Sequence, residues 1–370
     1  MIPIEYTGDL TPYTNYLYKF RQNLDKEVRQ GYLGKRKKTT VADALQMMQN
    51  LPQNQRQKFI MAVGDHKGTW MNKFATNKVL TPVEMLDDES IKYLRGYLQW
   101  FDTLVDATDE EMLVCMSYAR LWYPKLRQPT TKVYKNFYKA VVDAGYEQGF
   151  PREELIAATN VRVCPYCNRE FVESVHGSKV VVKGQLDHFY PKEKYPYLAL
   201  SKYNLVPSCP NCNGASGKHN IDARIKGLVN PYSLMDSNGL RFRADVPRRG
   251  FLNMKLLADA IKIHLDTTKN VAMANNADIF NIEAIYNTHT DYAAEVYYKY
   301  MKMKSKAYQK YLKSMLKPSR NKIINVVHQM PIADWERVLF GIYTNPKEQA
   351  NRPLSKFIKD LLDDFKEKGL

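Results

Sequence analysis

The chain has 370 residues, a length that allows a large core and two or three domains of roughly 150 residues each. Its 55 lysines and arginines outnumber its 39 aspartates and glutamates, and the formal charge of +16 favours a polyanionic partner such as nucleic acid. The sequence does not start with a basic segment followed by an apolar core, and it has no run of about 18 apolar residues. We therefore expect a cytoplasmic protein that does not enter the membrane.

The first region, residues 1–155, is predicted to be helical throughout. Thr40 has the position of a helix cap, and the sequence from Thr108 to Glu111 has the form of a capping box. Thr81-Pro82 is predicted to start a turn. The spacing of the apolar residues after it predicts a helix with Ile91, Leu94, Leu98 and Phe101 on one face. The helix after the capping box points Cys115 inward, so we expect a buried core thiol there.

The basic run GKRKK at residues 34–38 is predicted to be a loop. Two interpretations of this loop are open. It either contacts the backbone of a nucleic acid or is a solvated basic loop.

Four of the five cysteines form two CxxC pairs, Cys164 with Cys167 and Cys209 with Cys212. A CxxC pair places two thiols on one turn, and two such pairs complete a tetrahedral sulfur site for one ion. The alternatives are two redox-active motifs or a disulfide framework. The small number of cysteines argues against disulfides, and the absence of a thioredoxin-like βαβ pattern argues against redox motifs. We therefore predict one structural zinc site.

Between the two pairs, the apolar residues 180–182 and 186–189 flank Lys183-Gly184 and predict two short strands joined by a tight turn. Asp187-His188 lies in the second of these strands. Asn204 comes after a loop, directly before Leu205-Val206, and Asn213 follows the last cysteine nine positions later.

These residues resemble the HNH, or ββα-metal, endonucleases of the zinc-bound type. The family pattern is an Asp-His pair ending a strand, a central Asn opening the next strand, and a His or Asn opening a helix nine positions later. Asp187-His188, Asn204 and Asn213 match it. The phrases LDHFYPKEKYPYLALSKYNLVPSCPNCN and NRPLSKFIKDLLDDF also resemble larger bacterial HNH proteins of anti-phage defence loci, among them the Septu and retron-associated nucleases.

The resemblance implies a role for each matched residue. His188 would be the general base that takes a proton from water. Asp187 and Asn213 would hold one Mg²⁺ or Mn²⁺ through oxygen atoms. Asn204 would orient His188 through its side-chain amide. Because neighbouring residues of a strand point to opposite faces, the strand has to end or bend at Asp187-His188 for both to act at one site.

The segment NGASGKHN after the last cysteine departs from the usual CNxxK of the family, and its two glycines leave the length of the metal-binding helix open. His219 is an alternative to Asn213 as the last ligand of the catalytic ion. Lys218 is either the lysine of the family displaced by two residues, reaching a phosphate, or a solvated charge.

The region 231–370 is predicted to be helical again after a short strand from Leu240 to Val246. One helix begins near Met254 and carries apolar residues on one face as far as Leu265. A long helix is predicted from Tyr292 to Lys317, in which tyrosines alternate with lysines. Two interpretations are open: the helix either contacts a nucleic acid along this face, or has tyrosines in the core on one side and solvated lysines on the other. The last helix, from Pro353, has an apolar stripe that docks a partner if exposed and closes the domain if buried.

We therefore predict a mainly α protein with an embedded ββα-metal zinc module. Its divisions are a helical region 1–155, the module 156–230 and a helical region 231–370. The predicted function is a DNA endonuclease of anti-phage defence with a structural Zn²⁺ and a catalytic Mg²⁺ or Mn²⁺. The alternatives are an RNA-directed nuclease and a partner-gated or non-catalytic zinc subunit that binds nucleic acid. The likeness to defence proteins implies an ATPase partner.

Overall fold

The computed structural model describes residues 1–63, 78–176, 181–182, 184–236, 239–247, 253–307, 310 and 337–370. These residues are mainly helical with small two-stranded sheets, as the predicted fold class requires. In the described ranges, no helix is both long and apolar enough to cross a membrane.

The chain forms two compact units. The first, here called the helical unit, comprises Asp9–Leu155 and Tyr190–Leu205. The second, here called the cysteine unit, comprises Met1–Gly8, Ile156–Phe189 and Val206–Leu370. The division at residues 155 and 230 stays a prediction.

The helical unit consists of one antiparallel strand pair and a set of helices. Its elements in chain order are α1 (Thr11–Gln30), β1 (Tyr32–Thr40), α2 (Val41–Gln49), α3 (Gln53–Val63), β2 (Lys78–Met85), α4 (Asp88–Gln99), α5 (Phe101–Asp106), α6 (Asp109–Trp122) and α7 (Lys132–Tyr138). Helix α7 continues as a π-helical segment, Lys139–Tyr146, and α8 (Arg152–Ala158) follows it, with its last three residues in the cysteine unit. Short 3₁₀ turns lie at Pro124–Arg127, Pro196–Leu198 and Lys202–Asn204.

Strands β1 and β2 correct two sequence predictions. The basic run 34–38 lies in β1 rather than in a loop, and Thr81-Pro82 lies in β2 rather than at the start of a turn. The strands pair antiparallel with Lys37 opposite Thr81, and Pro82 is tolerated because each strand of a two-stranded sheet is an edge strand. This sheet packs on α2 and α3 through a cluster of buried residues that includes Tyr32, Ala44, Phe59, Val63, Val79 and Met85. The pairing joins segments about 40 residues apart, so local sequence signals do not reveal it.

The predicted helix caps of this unit are confirmed. The Thr40 side chain accepts a hydrogen bond from the backbone N–H of Asp43, and Thr108 forms a capping box with Glu111. The face predicted for α4 and the start of α5 is also buried, at Ile91, Leu94, Leu98 and Phe101. Cys115 is partly exposed instead of buried, because only Met112, Met116 and Ala119 of α6 face the core.

The cysteine unit contains the remaining described elements. They are β3 (Val175–His176), β4 (Val181–Val182), β5 (Gln185–His188), β6 (Leu205–Ser208), α9 (Pro210–Asn213), α10 (Ala223–Lys226), β7 (Arg241–Asp245), α11 (Met254–Ala260), β8 (Lys262–Asp266), α12 (Ala272–Ile279), α13 (Ile282–Tyr286), α14 (Thr290–Lys304) and α15 (Ser355–Glu367). Its 3₁₀ turns are Pro231–Ser233, Asn287–His289 and Pro346–Asn351.

The predicted strand near residues 240–246 is confirmed as β7, but the helix after it is shorter than predicted. It ends at Ala260, because residues 262–266 form strand β8 and pair with β7. Helix α14 ends at Lys304, where Ser305 adopts an extended conformation. Most of the predicted continuation to Lys317 lies outside the described residues. In α14, Val296 and Tyr300 are buried, whereas Tyr292 and Tyr298 are exposed, so only part of the predicted tyrosine face belongs to the core.

The apolar stripe of the last helix is buried, so α15 closes the unit. It also buries carboxylates that bind the edge of β7. Asp364 is fully buried and accepts hydrogen bonds from the Ala244 backbone N–H at 3.0 Å, from Arg243 at 2.9 Å and from Lys368 at 2.8 Å. A single side chain thus satisfies a strand N–H and two cations.

We expect Asp364→Ala to lower the free energy of unfolding by about 1–3 kcal/mol, because it leaves the buried Ala244 N–H without an acceptor. Asp363→Ala is the matched control, because Asp363 lies one position away and pairs with the partly exposed Lys359. That control is expected to cost less than about 1 kcal/mol. Urea unfolding of the three proteins measures both values, and equal losses would contradict the role given to Asp364.

Candidate active site and metal centre

The four predicted ligand cysteines come together in the cysteine unit. Their sulfur atoms all lie within 4.8 Å of one another, and all four residues are buried. The sulfurs of Cys167 and Cys209, one from each CxxC pair, are 3.8 Å apart. All five cysteines of the chain are free thiols, so a disulfide framework is not present.

This cluster fits one tetrahedral ion. Four sulfurs bound at about 2.3 Å to a central zinc lie about 3.8 Å from one another, which is the separation found between Cys167 and Cys209. Burial raises the pKa of the Cys164 thiol, so its thiolate needs a nearby cation to persist at neutral pH. The donor set has no carboxylate and no exposed member, as is typical of a closed structural site.

The first cysteine pair is anchored in the unit by the residues around it. The ring of Tyr166 stacks on Phe280 with centroids 4.3 Å apart, and the Tyr286 hydroxyl donates to the Cys167 carbonyl. Asn168, in the left-handed conformation with φ of 53°, accepts from the backbone N–H of Lys356 in α15 and donates to the Gln349 carbonyl. These contacts connect the turn that carries two thiols to the rest of the unit.

The strands between the two pairs form, but they pair differently from the prediction. β4 pairs with β3, and β5 pairs with β6, so the predicted hairpin across Lys183-Gly184 is wrong. Gly184 lies against the Val172 carbonyl and Ile156, and a Cβ at this position would overlap both. This close approach to the rest of the unit, rather than a tight turn, explains the glycine.

Strand β5 carries the predicted catalytic pair and ends at His188. A strand end at this position is what the expected roles of Asp187 as metal ligand and His188 as general base require. Both residues are buried, with Asp187 2% and His188 8% exposed. The Asp187 carboxylate accepts from the Tyr166 hydroxyl at 2.8 Å and from the Lys218 ammonium at 2.9 Å. Burial and the neighbouring carboxylate raise the pKa of Tyr166, so its hydroxyl remains a proton donor to Asp187.

Lys218 is fully buried, so it is not a solvated charge. Besides Asp187, its ammonium donates to the His188 carbonyl at 2.7 Å. The glycines before it explain this position. The Lys218 N–H bonds the Cys212 carbonyl, and a Cβ on Gly217 would overlap the carbonyls of Asn211 and Cys212, so only glycine allows the chain to curl back. The double-glycine run thus turns Lys218 towards β5.

Asn213 ends the single-turn helix α9 instead of opening a longer one. Its amide donates to the Gln185 side chain at 3.0 Å. Gln185 and Asp187 are two positions apart on one strand and face the same side, so Asn213 lies beside the β5 face that carries Asp187. His219 is exposed, in the left-handed conformation with φ of 42°, in the turn that follows.

Asn204 lies in the helical unit and is fully buried. Its side-chain oxygen accepts from the Tyr190 N–H at 2.7 Å, and its amide donates to the carbonyls of Tyr190 and Leu198. All three of these bonds are made to backbone. Asn204 therefore holds the segment that begins two residues after His188, which is a different contact from the one implied by the family resemblance.

Sequence reasoning missed one residue of this arrangement, Tyr166. Its place inside the first CxxC pair indicates that it lies near the cysteine cluster. Nothing local indicates that its hydroxyl binds Asp187, since the two residues are 21 positions apart and meet only in the folded unit.

We expect Lys218→Met to lower the free energy of unfolding by about 3–5 kcal/mol, because it leaves the buried Asp187 carboxylate without its cation. Lys226→Met is the matched control, since Lys226 is exposed at the end of α10. Chemical unfolding followed by circular dichroism measures the difference. A loss no greater than that of the control would show that the ion pair contributes nothing to stability.

Comparison with known proteins agrees with the geometry of this region. The sequence model of the HNH endonuclease family matches residues 164–219. Septu protein PtuB of Bacillus thuringiensis is 36% identical over 78 residues, which cover 21% of this chain and 27% of that protein. Protein ea31 of Escherichia phage lambda is 28% identical over 114 residues, which cover 28% of this chain and 35% of that protein.

The chain thus spans about a third or less of the length of these two relatives. No solved structure matches it. The resemblance to HNH endonucleases, predicted from the cysteine pairs, the Asp-His pair and the two asparagines, is confirmed. The resemblance to a Septu protein, predicted from the two longer phrases, is also confirmed.

Proposed function

We propose that this chain, which carries an HNH domain at residues 164–219, is a metal-dependent endonuclease that hydrolyses phosphodiester bonds of DNA. The observation that carries the proposal is the end of β5. There Asp187 and His188 follow one another at the strand terminus, and Asn213 lies beside the same strand, next to Gln185. These are the residue types that metal-assisted phosphodiester hydrolysis needs.

In this proposal the four cysteines hold a structural Zn²⁺. The ion joins the turn after α8 to helix α9 and so fixes β5 and α9 relative to each other. The strands of this segment have only two to four residues, so the ion is an additional constraint on their positions. Zinc bound by four buried thiolates has no open position for substrate, so its role is structural.

Asp187 and Asn213 provide oxygen atoms for a catalytic Mg²⁺ or Mn²⁺, of which Asp187 is the charged ligand. Such an ion supplies charge neutralisation at the phosphate and at the leaving oxygen when it is bound. His188 accepts the proton of the attacking water. Asn204 keeps the following segment in place through the backbone of Tyr190, and thereby limits the movement of the chain after His188.

A DNA substrate is supported by the HNH match and by the formal charge of +16. RNA is the alternative, because a site that reads phosphate geometry does not by itself test for a 2′-hydroxyl. The exposed Tyr298, with Lys302 5.3 Å from its ring, is one surface of the cysteine unit with the chemistry to contact a strand.

The similarity to Septu protein PtuB supports a role in anti-phage defence. A cytoplasmic location and an ATPase partner belong to the same proposal. A partner-gated nuclease is the second candidate, and one contact favours it. Tyr166 and Lys218 already occupy the Asp187 carboxylate, so an approaching divalent ion has to share or displace these donors. A gated enzyme would make that exchange only when a partner or substrate binds.

The test is a cleavage assay of the full chain on supercoiled plasmid, single-stranded DNA and RNA, with Mg²⁺ or Mn²⁺ and with EDTA. Metal-dependent cutting of DNA is the expected result. Cutting of RNA alone would overturn the proposed substrate. If no nucleic acid is cut by a chain that retains its zinc, the free protein is gated or non-catalytic, and the proposal of an autonomous nuclease is wrong.

A further inference from the structure

The helical unit contains an aromatic cavity of about 280 Å³ between α4 and α6. Its walls include the rings of Tyr93, Tyr97, Trp100, Tyr118, Tyr123 and Phe137. Phe137 and Tyr97 are buried, whereas Trp100 and Tyr118 are 44% and 41% exposed, so the cavity has a closed floor and an open mouth. Its volume lies close to the lower end of the range for small-molecule pockets, about 300–1,000 Å³.

One polar group in the walls of this cavity lacks a partner. The hydroxyl of Tyr97 is buried and, among the described residues, donates to and accepts from no other group. Burial raises the pKa of Tyr97, so the hydroxyl stays protonated and can donate. A buried hydroxyl without a partner costs about 1–3 kcal/mol, and a bound ligand that accepts a hydrogen bond recovers this.

A second pocket, of about 420 Å³, adjoins the aromatic cavity and is cationic. Its walls include three cations, Lys58, Lys92 and Arg95, and one carboxylate, Asp88, and it shares Gly96 and Tyr123 with the cavity. Lys58 pairs with Asp88, but Lys92 and Arg95 are exposed and have no acidic partner in the described part of the chain. A Cβ on Gly96 would overlap the Tyr123 hydroxyl, so this glycine allows Tyr123 to lie at the boundary of both pockets.

We propose that the two pockets form one binding site for a phosphorylated nucleoside. The base stacks among the rings and accepts a hydrogen bond from Tyr97, and the phosphate lies beside Lys92 and Arg95. Flat aromatic rings bind any nucleobase through its π-face, and lysine and arginine bind phosphate. The source is a free nucleotide or one nucleotide of a single strand, which share this chemistry. None of these residues belongs to the proposed nuclease centre.

Isothermal titration of the full chain with ATP, adenosine and a ten-residue oligodeoxyadenylate tests the site. Tyr97→Phe is expected to weaken ATP and adenosine about two- to tenfold, since it removes only the hydroxyl. The double variant Lys92→Ala/Arg95→Ala is expected to weaken ATP at least about tenfold and to leave adenosine unchanged. Arg120→Ala is the control for charge, because Arg120 is exposed on α6 and lines neither pocket.

The same titrations distinguish a free nucleotide from one nucleotide of a single strand. If the variants weaken the oligonucleotide and ATP does not bind, the site takes a strand, and if they weaken ATP, it takes a free nucleotide. Absence of saturable binding by all three probes, or binding that no pocket variant changes, would overturn the proposal. His188→Ala is expected to bind the three ligands as the parent does, because His188 lines neither pocket. Loss of cleavage and loss of binding at this site can therefore be measured separately.

Discussion

His188→Ala is expected to lower the rate of DNA cleavage about 100- to 10,000-fold, the largest effect on activity that a single substitution should have here. The alanine removes the group that accepts the proton of water, and general-base catalysis contributes about this factor. Binding of DNA should change little, because the base acts only in the chemical step. Single-turnover cleavage at saturating protein measures the chemical rate apart from binding.

The matched control is His264→Ala. His264 lies in the same unit, on β8, and is exposed, with Asp245 as its partner. It should cut at the rate of the parent. Because His188 is buried, zinc content and the midpoint of urea unfolding are measured for both variants. A His188→Ala protein that keeps its zinc and cuts as fast as the parent would contradict the role of general base.

Cys209→Ser is expected to cost both the zinc and the folded state of the cysteine unit, the largest effect on stability. Structural zinc sites contribute on the order of 10 kcal/mol or more, which is comparable to the whole stability of most domains. The serine replaces one of four buried sulfurs that lie within 4.8 Å of one another. Metal analysis by mass spectrometry and near-ultraviolet circular dichroism measure the two losses.

Cys115→Ser provides the control, because Cys115 lies in the helical unit, outside the four-cysteine cluster. It should retain one zinc per chain and the signal of the parent. If the Cys209→Ser protein held zinc with the same stoichiometry and unfolded at the same urea concentration as this control, the four cysteines would not form a zinc site.

The buried pair of Asp187 and Lys218 connects these expectations. Lys218 places a positive charge 2.9 Å from the carboxylate proposed to hold the catalytic ion. In this arrangement the lysine stabilises the carboxylate when no divalent ion is bound, and a metal has to compete with it. The proposed gate therefore requires movement of the turn that carries Lys218, a turn built around Gly214 and Gly217.

The cysteine cluster and the fold class could be predicted from the sequence because their signals are local. A CxxC pair fixes the distance between two thiols within one turn, and helix caps such as Thr40 and the Thr108–Glu111 box involve residues three apart. The buried stripe of α15 follows from helical periodicity in the same way. Each of these predictions depends on residues within a few positions of one another.

Most of the errors concern pairing between distant segments. The basic run of β1 was expected in a loop because its charge suggested solvent, yet it pairs with β2 across about 40 residues. The strand β8 was expected to be helical because its apolar spacing also fits a helix, and pairing with β7 stabilises it as a strand. The apolar residues of β4 and β5 predicted strands correctly, but their partners proved to be β3 and β6.

The sequence by itself determined the composition of the candidate centre: four cysteines in two pairs, an Asp-His pair, and asparagines at positions 204 and 213. Spacing along the chain sets these features, and so they can be read without coordinates. Only the tertiary structure decided which groups each side chain binds. Asp187 binds Tyr166 and Lys218, and Asn204 binds the Tyr190 backbone, because a buried charged or polar group is costly without a partner, and these partners lie 14 to 31 positions away along the chain.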